Sequence, residues 1–483
     1  MKKISSKTEQ QSSQIFLQYL IHYPMGKPRM DNHLHQVVSN TKYEYEEGRL
    51  SATELLYSVI QKFPLPVLEG HSQFFFLPLV LQLVNDDSKQ CKELSASCIS
   101  LLLQRLSTKS VQALFVYTKR WSQPSGSDST SMERAAAQLF GIFVDSRPDY
   151  IKRGNNMSDL VSIVLSAIMK HTQFQNESGW ELLYQNLVCI EKLNKQMPSL
   201  LSENYEIWEA LVKFLTYPHP WVMQVSSRII SRCLSPIDPK KLHDESKLFV
   251  VKIPGCLYKI ASNLCGQLDV EDIHFVEPIS TLAIKTITWV FCAMKQCPDL
   301  CYDKNVPKND NGDEHAQERA KDPCLWVMTR LSNIAKQKGA QRRESVFKCF
   351  AALCTSCNKE QLIPFLELMI DSVDRAIREA TNSLNHDNKT ADNPLVAIPT
   401  GVLNIIEDAC GTEQFLQAYA TVNRNVREKR DKRKQDLASE AVHDPAAAAK
   451  RKMNLQQKKR DRRKRKIEEK RAMHGGRRKR QHS

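Results

Sequence analysis

From Arg49 onward the apolar positions fall in blocks of helical length, separated by short polar breaks. Residues 73–84 read QFFFLPLVLQLV, apolar almost throughout. Residues 88–106 instead carry Leu94, Cys98, Leu101, Leu102 and Leu106, the i, i+4, i+7, i+8 spacing of a single helix face. Asn85-Asp86-Asp87 separates the two blocks, and Asp87 is placed to cap the second helix. A buried helix, an acidic turn and an amphipathic helix form the unit from which HEAT-type arrays are built.

The unit recurs at an irregular spacing of about 35–45 residues. Residues 111–120 pair with 131–144 across a Ser/Gly/Pro-rich linker, and 160–170 pair with 180–193. Tyr205, Trp208, Leu211, Val212 and Leu215 form the next stripe. It runs through Tyr217-Pro-His-Pro-Trp221 into a helix with Val225, Ile229, Ile230 and Leu234, where Trp221 reads as an inter-helix wedge and Arg228 as the basic residue of a repeat junction. Continuous helices are predicted over 248–264 and 279–297, then over 324–335, 345–354 and 362–377. Two polar stretches interrupt them, 302–322 and 382–394. The start differs. Apart from a short helix at 15–23 ended by Pro24, residues 1–48 are mixed, and His22, His33 and His35 read as surface or linker histidines. The array reads as entered partway. The expected organisation is an irregular segment at 1–48, HEAT-like repeats at 49–301, a polar disordered insert at 302–322, further repeats at 323–410 and a helical arm at 411–483.

Composition agrees. With 15 Gly in 483 residues and 7% aromatics, the chain suits an all-α, HEAT/armadillo-like solenoid. No run reaches the ~18 apolar residues of a membrane span. MKKISSKTEQQSSQ has a basic start without an apolar stretch behind it, so it is not a secretory signal. The 14 cysteines sit mostly inside apolar helical patterns and read as reduced core residues.

Charge changes the picture. Residues 1–423 hold 45 Lys+Arg and 46 Asp+Glu, whereas residues 424–483 hold 24 and 8. The whole basic excess lies in the last eighth of the chain. Thr412 is placed to cap a helix whose stripe is Phe415, Ala418, Tyr419, Val422 and Val426. Beyond Val426 the stripe ends, although Glu, Lys, Arg, Gln and Ala still favour helix. Asp444-Pro445 should break it, with a second helix running to about Met473, before Gly475-Gly476. A polycation calls for a polyanion, and the nucleic-acid backbone is the densest one available. No aromatic residue follows Tyr419, so contact through phosphates rather than base stacking is expected. The residues expected to make it are Lys429, Arg430, Lys432, Arg433, Lys434, Lys450, Arg451, Lys452, Lys458, Lys459, Arg460, Arg462, Arg463, Lys464, Arg465 and Lys466. The competing reading makes the same clusters a nuclear address and nothing more.

Catalytic patterns are missing. No phosphate-binding glycine loop, dinucleotide fingerprint, H-E-x-x-H or G-x-S-x-G occurs. Asp86/Asp87 and Asp371/Asp374 are carboxylate pairs that turn capping and helix surface explain. Cys354-Thr-Ser-Cys357 has the spacing of half a zinc site or a redox pair, but no second such pair lies near, so buried structural cysteine is expected. No enzyme, cofactor or metal is predicted.

The stretch 411–467 contains G-T-E-Q-F, R-E-K-R-D-K-R-K, A-V-H-D-P, A-A-K-R-K and a closing K-K-R-D-R-R-K-R-K. This succession resembles the C-terminus of the small-subunit processome component 20 (down-regulated-in-metastasis) family. Residues 74–106 are similar to that family's C-terminal HEAT region. The resemblance implies a non-enzymatic nucleolar scaffold of the small-subunit processome, the 90S pre-ribosome, supporting 18S rRNA processing. Its implied partners are pre-rRNA, a small nucleolar ribonucleoprotein and other assembly factors, with no membrane and no small-molecule substrate. Family members are far longer solenoids. The alternative is a HEAT-type interaction or transport adaptor whose tail is only a nuclear or nucleolar localisation signal.

Overall fold

The structure is a computed structural model that describes residues 6–123, 129–173, 179–245, 248–253, 255–269, 276–301, 322–337, 340–384 and 394–479. The chain divides into two compact units, Met1–Cys357 and Asn358–Ser483. Among the described residues there is no strand.

The first unit opens with α1 (Ser6–His22) and continues as seven helix pairs. These are α2 (Lys27–Asn40) with α3 (Glu46–Lys62), α4 (Ser72–Asn85) with α5 (Lys89–Arg105), and α6 (Thr108–Trp121) with α7 (Ser129–Ser146). Next come α8 (Asn156–Gln173) with α9 (Trp180–Gln196), and α10 (Tyr205–Phe214) with α11 (Pro220–Leu234). The last are α12 (Cys256–Gln267) with α13 (Val276–Gln296), and α14 (Pro323–Lys336) with α15 (Ala340–Ser356). Each odd-numbered helix from α3 to α13 packs on its even partner and on the next odd helix, so α3 to α15 form one continuous odd layer, while α8, α10, α12 and α14 meet in turn on the other side. This is the two-layer, nearest-neighbour construction of an all-α HEAT-type solenoid.

Apolar burial between the layers holds it together. Leu187, Ile190 and Leu193 of α9 and Val222, Val225, Ile229 and Ile230 of α11 are almost fully buried. Each such side chain contributes about 1.5–3 kcal/mol. Polar side chains then tie each pair to the one before. Arg147 donates to the carbonyls of Leu103 and Leu106 at 3.1 and 2.9 Å. Lys192 donates to Gly141 O at 3.2 Å, Gln267 to Leu215 O at 2.6 Å, and Trp289 Nε1 to Ile237 O at 2.7 Å. Glu191, 7% exposed, accepts from Arg228 at 2.7 Å and also from Arg232. These partners lie 37 to 52 residues apart in sequence, so the period is wider in places than the spacing predicts.

Several local expectations are corrected. Residues 27–40, read as irregular, form α2, because Leu34, Val37 and Val38 make a short buried stripe among polar neighbours. His33 accordingly lies on a helix, edge-on to Phe16 and Tyr19 of α1. Asp87 is exposed, and Ser88 is the N-cap of α5, accepting from Cys91 N at 3.3 Å. Asp86 is buried instead, held by both nitrogens of the Arg49 fork at 2.8 and 2.9 Å. The helix predicted over 248–264 is split, because Gly255 adopts φ +81° and α12 starts only at Cys256. Trp221 does bridge two helices as read, from α11 to Trp180 and Tyr184 of α9, but at the surface, 40% exposed. The insert at 302–321 lies outside the described residues, and Asp322, which ends it, caps α14 by accepting from Cys324 N at 2.9 Å.

In the second unit, α16 (Leu366–Leu384) packs against α17 (Pro394–Cys410) and α18 (Thr412–His443), and α18 contacts α19 (Pro445–Lys479). Met369, Ile370, Val373 and Ala376 form the buried face of α16. Phe415, Ala418 and Val422 are buried on α18. Asp374, expected on the helix surface, is 6% exposed. It pairs with Arg378 at 2.7 Å and accepts from Tyr419 Oη at 3.2 Å. Gly411, at φ +86°, makes the turn into α18, so Thr412 is the first helical residue rather than the cap. The 385–393 part of the second polar stretch lies outside the described residues.

Candidate nucleic-acid interface

The burial on α18 stops at Val422. From Arg427 to His443 every residue is exposed except the half-buried Glu440. Lys429, Arg430, Lys432, Arg433 and Lys434 therefore stand on a helix that packing no longer supports. Asp444 ends α18 and Pro445 begins α19, as the Asp-Pro pair predicts. Arg451 reaches back across this break to Glu440, and Lys434 pairs with Asp431 at 3.5 Å. Both are exposed surface pairs, which contribute about 0–1 kcal/mol each and leave the cations accessible to a stronger partner.

On α19 the described side chains from Lys450 to Arg465 are all exposed. Lys458, Lys459, Arg460, Arg462, Arg463, Lys464 and Arg465 occupy consecutive turns. Successive residues turn by about 100°, so these cations surround the helix rather than line one side. They cover about 10 Å of axis at a rise of about 1.5 Å per residue. With Asp461 among them, that is one cation per about 1.7 Å, close to the ~1.7 Å per phosphate charge of a duplex. Lys466 follows on the same helix, its side chain outside the described set. The helix continues through Gly475-Gly476 to Lys479, past the expected end near Met473, since glycine weakens a helix without removing a hydrogen-bond donor. Met453, Leu455 and Ile467 are exposed and isolated among charges. The arm can neutralise a dense polyanion from every side. Beyond Tyr419 it has no aromatic side chain to stack on bases.

The other candidate chemistry separates. Asp86 and Asp87 line an open surface recess with Thr41, Lys42 and Arg49, where the Arg49 guanidinium engages Asp86, and Asp374 pairs with Arg378. Among the described residues no group of three or more His, Cys, Asp or Glu could hold a metal. Cys354 and Cys357 are both buried, and the Cys357 sulfur lies 3.5 Å from that of Cys292, 65 residues earlier on α13. Spacing along the sequence gave no sign of this contact, which arises only because α13 and α15 are neighbours in one layer. No described helix is long and apolar enough to cross a membrane.

A helical-repeat body and an exposed polycationic arm define the class, a helical-repeat protein with a basic arm. The chain belongs to the family described as small subunit processome component 20 homolog, C-terminal, whose model matches residues 133–469. It is 24% identical over 454 residues to U3 small nucleolar RNA-associated protein 20 of Saccharomyces cerevisiae. It is 23% identical over 457 residues to the protein of that name in Schizosaccharomyces pombe. Each alignment covers 92% of this chain but 17% of the relative, so the chain spans about a sixth of the length of these relatives. Among solved structures, a Kap95p chain studied with RanGDP is 12% identical, with a TM-score of 0.40 over 88% of this chain and 52% of its own. A chain of a Kap95:Nup1 complex is also 12% identical, with a TM-score of 0.41 over 91% and 53%.

Proposed function

We propose that this protein is a non-enzymatic scaffold of the small-subunit processome in ribosome biogenesis. It works in the nucleolus and supports 18S rRNA processing. Its repeats offer surface to other assembly factors, and its arm contacts the backbone of pre-rRNA or small nucleolar RNA. The observation that carries this reading is the extent of the family match. It runs to residue 469 and so includes both the 429–434 and the 458–466 clusters within the family's own module. The names of the two yeast relatives support the association with U3 small nucleolar RNA. The exposure of the cations and their spacing fit phosphate contact.

The test is crosslinking to RNA in cells. The full chain is compared with one ending after Glu428, which keeps the buried Phe415, Ala418 and Val422, each fused to an added nuclear signal. Loss of pre-rRNA and small nucleolar RNA crosslinks from a truncated chain that still reaches the nucleolus supports the reading. Undiminished crosslinks make the arm an address label, and the protein a HEAT-type adaptor known by its protein partners.

A further inference from the structure

Twelve of the 14 cysteines are buried, and Cys233 and Cys292 are the two that are partly exposed. Their surroundings differ. Burial pushes the Cys233 thiol up to about 11, so it is inert at neutral pH. Cys292, on the last turns of α13, has the sulfur of Cys357 3.5 Å away and the Ser356 carbonyl 3.9 Å away. Cys357 is 9% exposed and sits just past the end of α15, where its amide closes that helix on Leu353 O at 2.9 Å. The two sulfurs therefore meet at one edge of the layer, from adjacent odd-numbered helices, with Cys292 on the solvent side.

We propose that Cys292 and Cys357 form a thiol–disulfide pair, a modification site that hydroperoxide oxidation closes and thiols reopen. The hydrogen bond between the two sulfurs holds the Cys292 thiol below its ordinary range, while the same contact and burial push Cys357 up. Cys292 is thus the attacking thiolate and Cys357 the resolving thiol. In the first step the Cys292 sulfur bonds to one peroxide oxygen, the O–O bond breaks, and the other oxygen leaves as water, giving a sulfenic acid. In the second, the Cys357 sulfur gives up its proton and attacks the sulfenyl sulfur, the S–S bond forms, and the S–O bond breaks with loss of a second water. Two thiols lose two electrons to one hydroperoxide. The gap must close from 3.5 Å to a bond of about 2.0 Å, a movement within reach of side-chain rotation. The product ties α13 covalently to α15 across a 65-residue separation and fixes two neighbouring repeats against each other.

The test uses the full, reduced chain, treated with a small excess of hydrogen peroxide, blocked with N-ethylmaleimide and cut with trypsin. Cys292 falls in the peptide 286–295, and Cys349, Cys354 and Cys357 fall in 349–359. The expected product joins these two peptides at a mass two hydrogens below their sum, with fragmentation placing the bond at Cys357. It forms in Cys354→Ser and not in Cys357→Ser. A bridge to Cys354, or Cys292 passing to sulfinic acid without a bridge, overturns the proposal. A second measurement needs no variant. In the untreated native chain N-ethylmaleimide should modify Cys292 at least tenfold faster than Cys233, and equal rates or the reverse order overturn the pair.

Discussion

α11 buries Val222, Val225, Ile229, Ile230 and Leu234 against neighbours on both sides, whereas α19 exposes every described side chain from Lys450 to Arg465. Both are helices, and different forces make them so. In α11, propensity is modest, with β-branched Val and Ile in the stripe, and tertiary burial decides the conformation. In α19, no described side chain from Lys450 to Arg465 is buried, and Ala, Gln, Lys and Arg hold a helix by propensity against the repulsion of their own charges. The repeats are thus a structure that exists before any partner, while the arm is a charge array whose helix a polyanion would reinforce. Substitutions should therefore act on fold in the first region and on binding in the second.

The largest effect is expected in the repeats. Phe143 of α7 is fully buried, 5.3 Å centre to centre from Phe115 in an edge-on contact. Phe143→Ala should cost about 3–5 kcal/mol, through lost transfer energy and the cavity left behind. A lowered denaturant midpoint checks it. Leu455→Ala, on the exposed arm, should change stability by less than about 0.5 kcal/mol. An equal loss at both positions would erase the distinction between the regions.

Next comes binding. Replacing Lys458, Lys459, Arg460 and 462–466 by Gln should weaken RNA binding on the order of a hundredfold at physiological salt. It should also flatten the salt dependence, since each phosphate contact on a single strand adds about 0.7 to the slope. Fluorescence anisotropy over a salt series measures both, and the unfolding midpoint should not move. An unchanged slope would mean that the cations are not the contact.

The seams between repeats come third. Glu191 is almost buried, but its partners Arg228 and Arg232 are partly exposed. Glu191→Ala should cost about 2 kcal/mol, between the 0–1 of an exposed pair and the 3–5 of breaking a buried one. Glu191→Gln, which keeps a hydrogen-bond acceptor, should cost less, and the difference between the two midpoints measures the charge.

How much of this was legible in the sequence follows from the same contrast. α4 and α5 could be read as a helix pair from a long apolar block and a stripe, but not their buried faces, since Leu77 and Leu81 are exposed and the α5 core runs through Cys91, Ser95, Ile99 and Leu103 rather than Leu94 and Leu101. α2 could not, because three apolar residues among histidines and asparagines become a stripe only once α1 and α3 supply the surface to bury it. The break at Gly255 was missed because the apolar pattern runs on across it and a positive φ leaves no mark on periodicity. Asp86 and Asp374 were read as local caps or surface, although Arg49 and Tyr419 reach them from 37 and 45 residues away. The arm was legible as charge and as helix because both are local properties. The Cys292–Cys357 contact was not, since it is a consequence of which helices stack.

The smallest predicted effect tests the repeats by pH. His171, in the last turn of α8, is half-buried, and burial together with the charge of Lys170 holds its pKa below the ordinary value of about 6.5. The unfolded chain takes up this proton at a higher pH than the folded chain does. Stability is therefore fully present above about pH 6.5 and falls as the pH drops from there through the folded value. The unfolding midpoint should be flat from pH 8 to 7 and lower at pH 5.5, and His171→Gln should remove part of that decline. His443 on α18 is exposed, so His443→Gln should leave the unfolding midpoint unchanged at both pH values. If His443→Gln flattened the profile and His171→Gln did not, the assignment of packing to the repeats and solvation to the arm would be reversed.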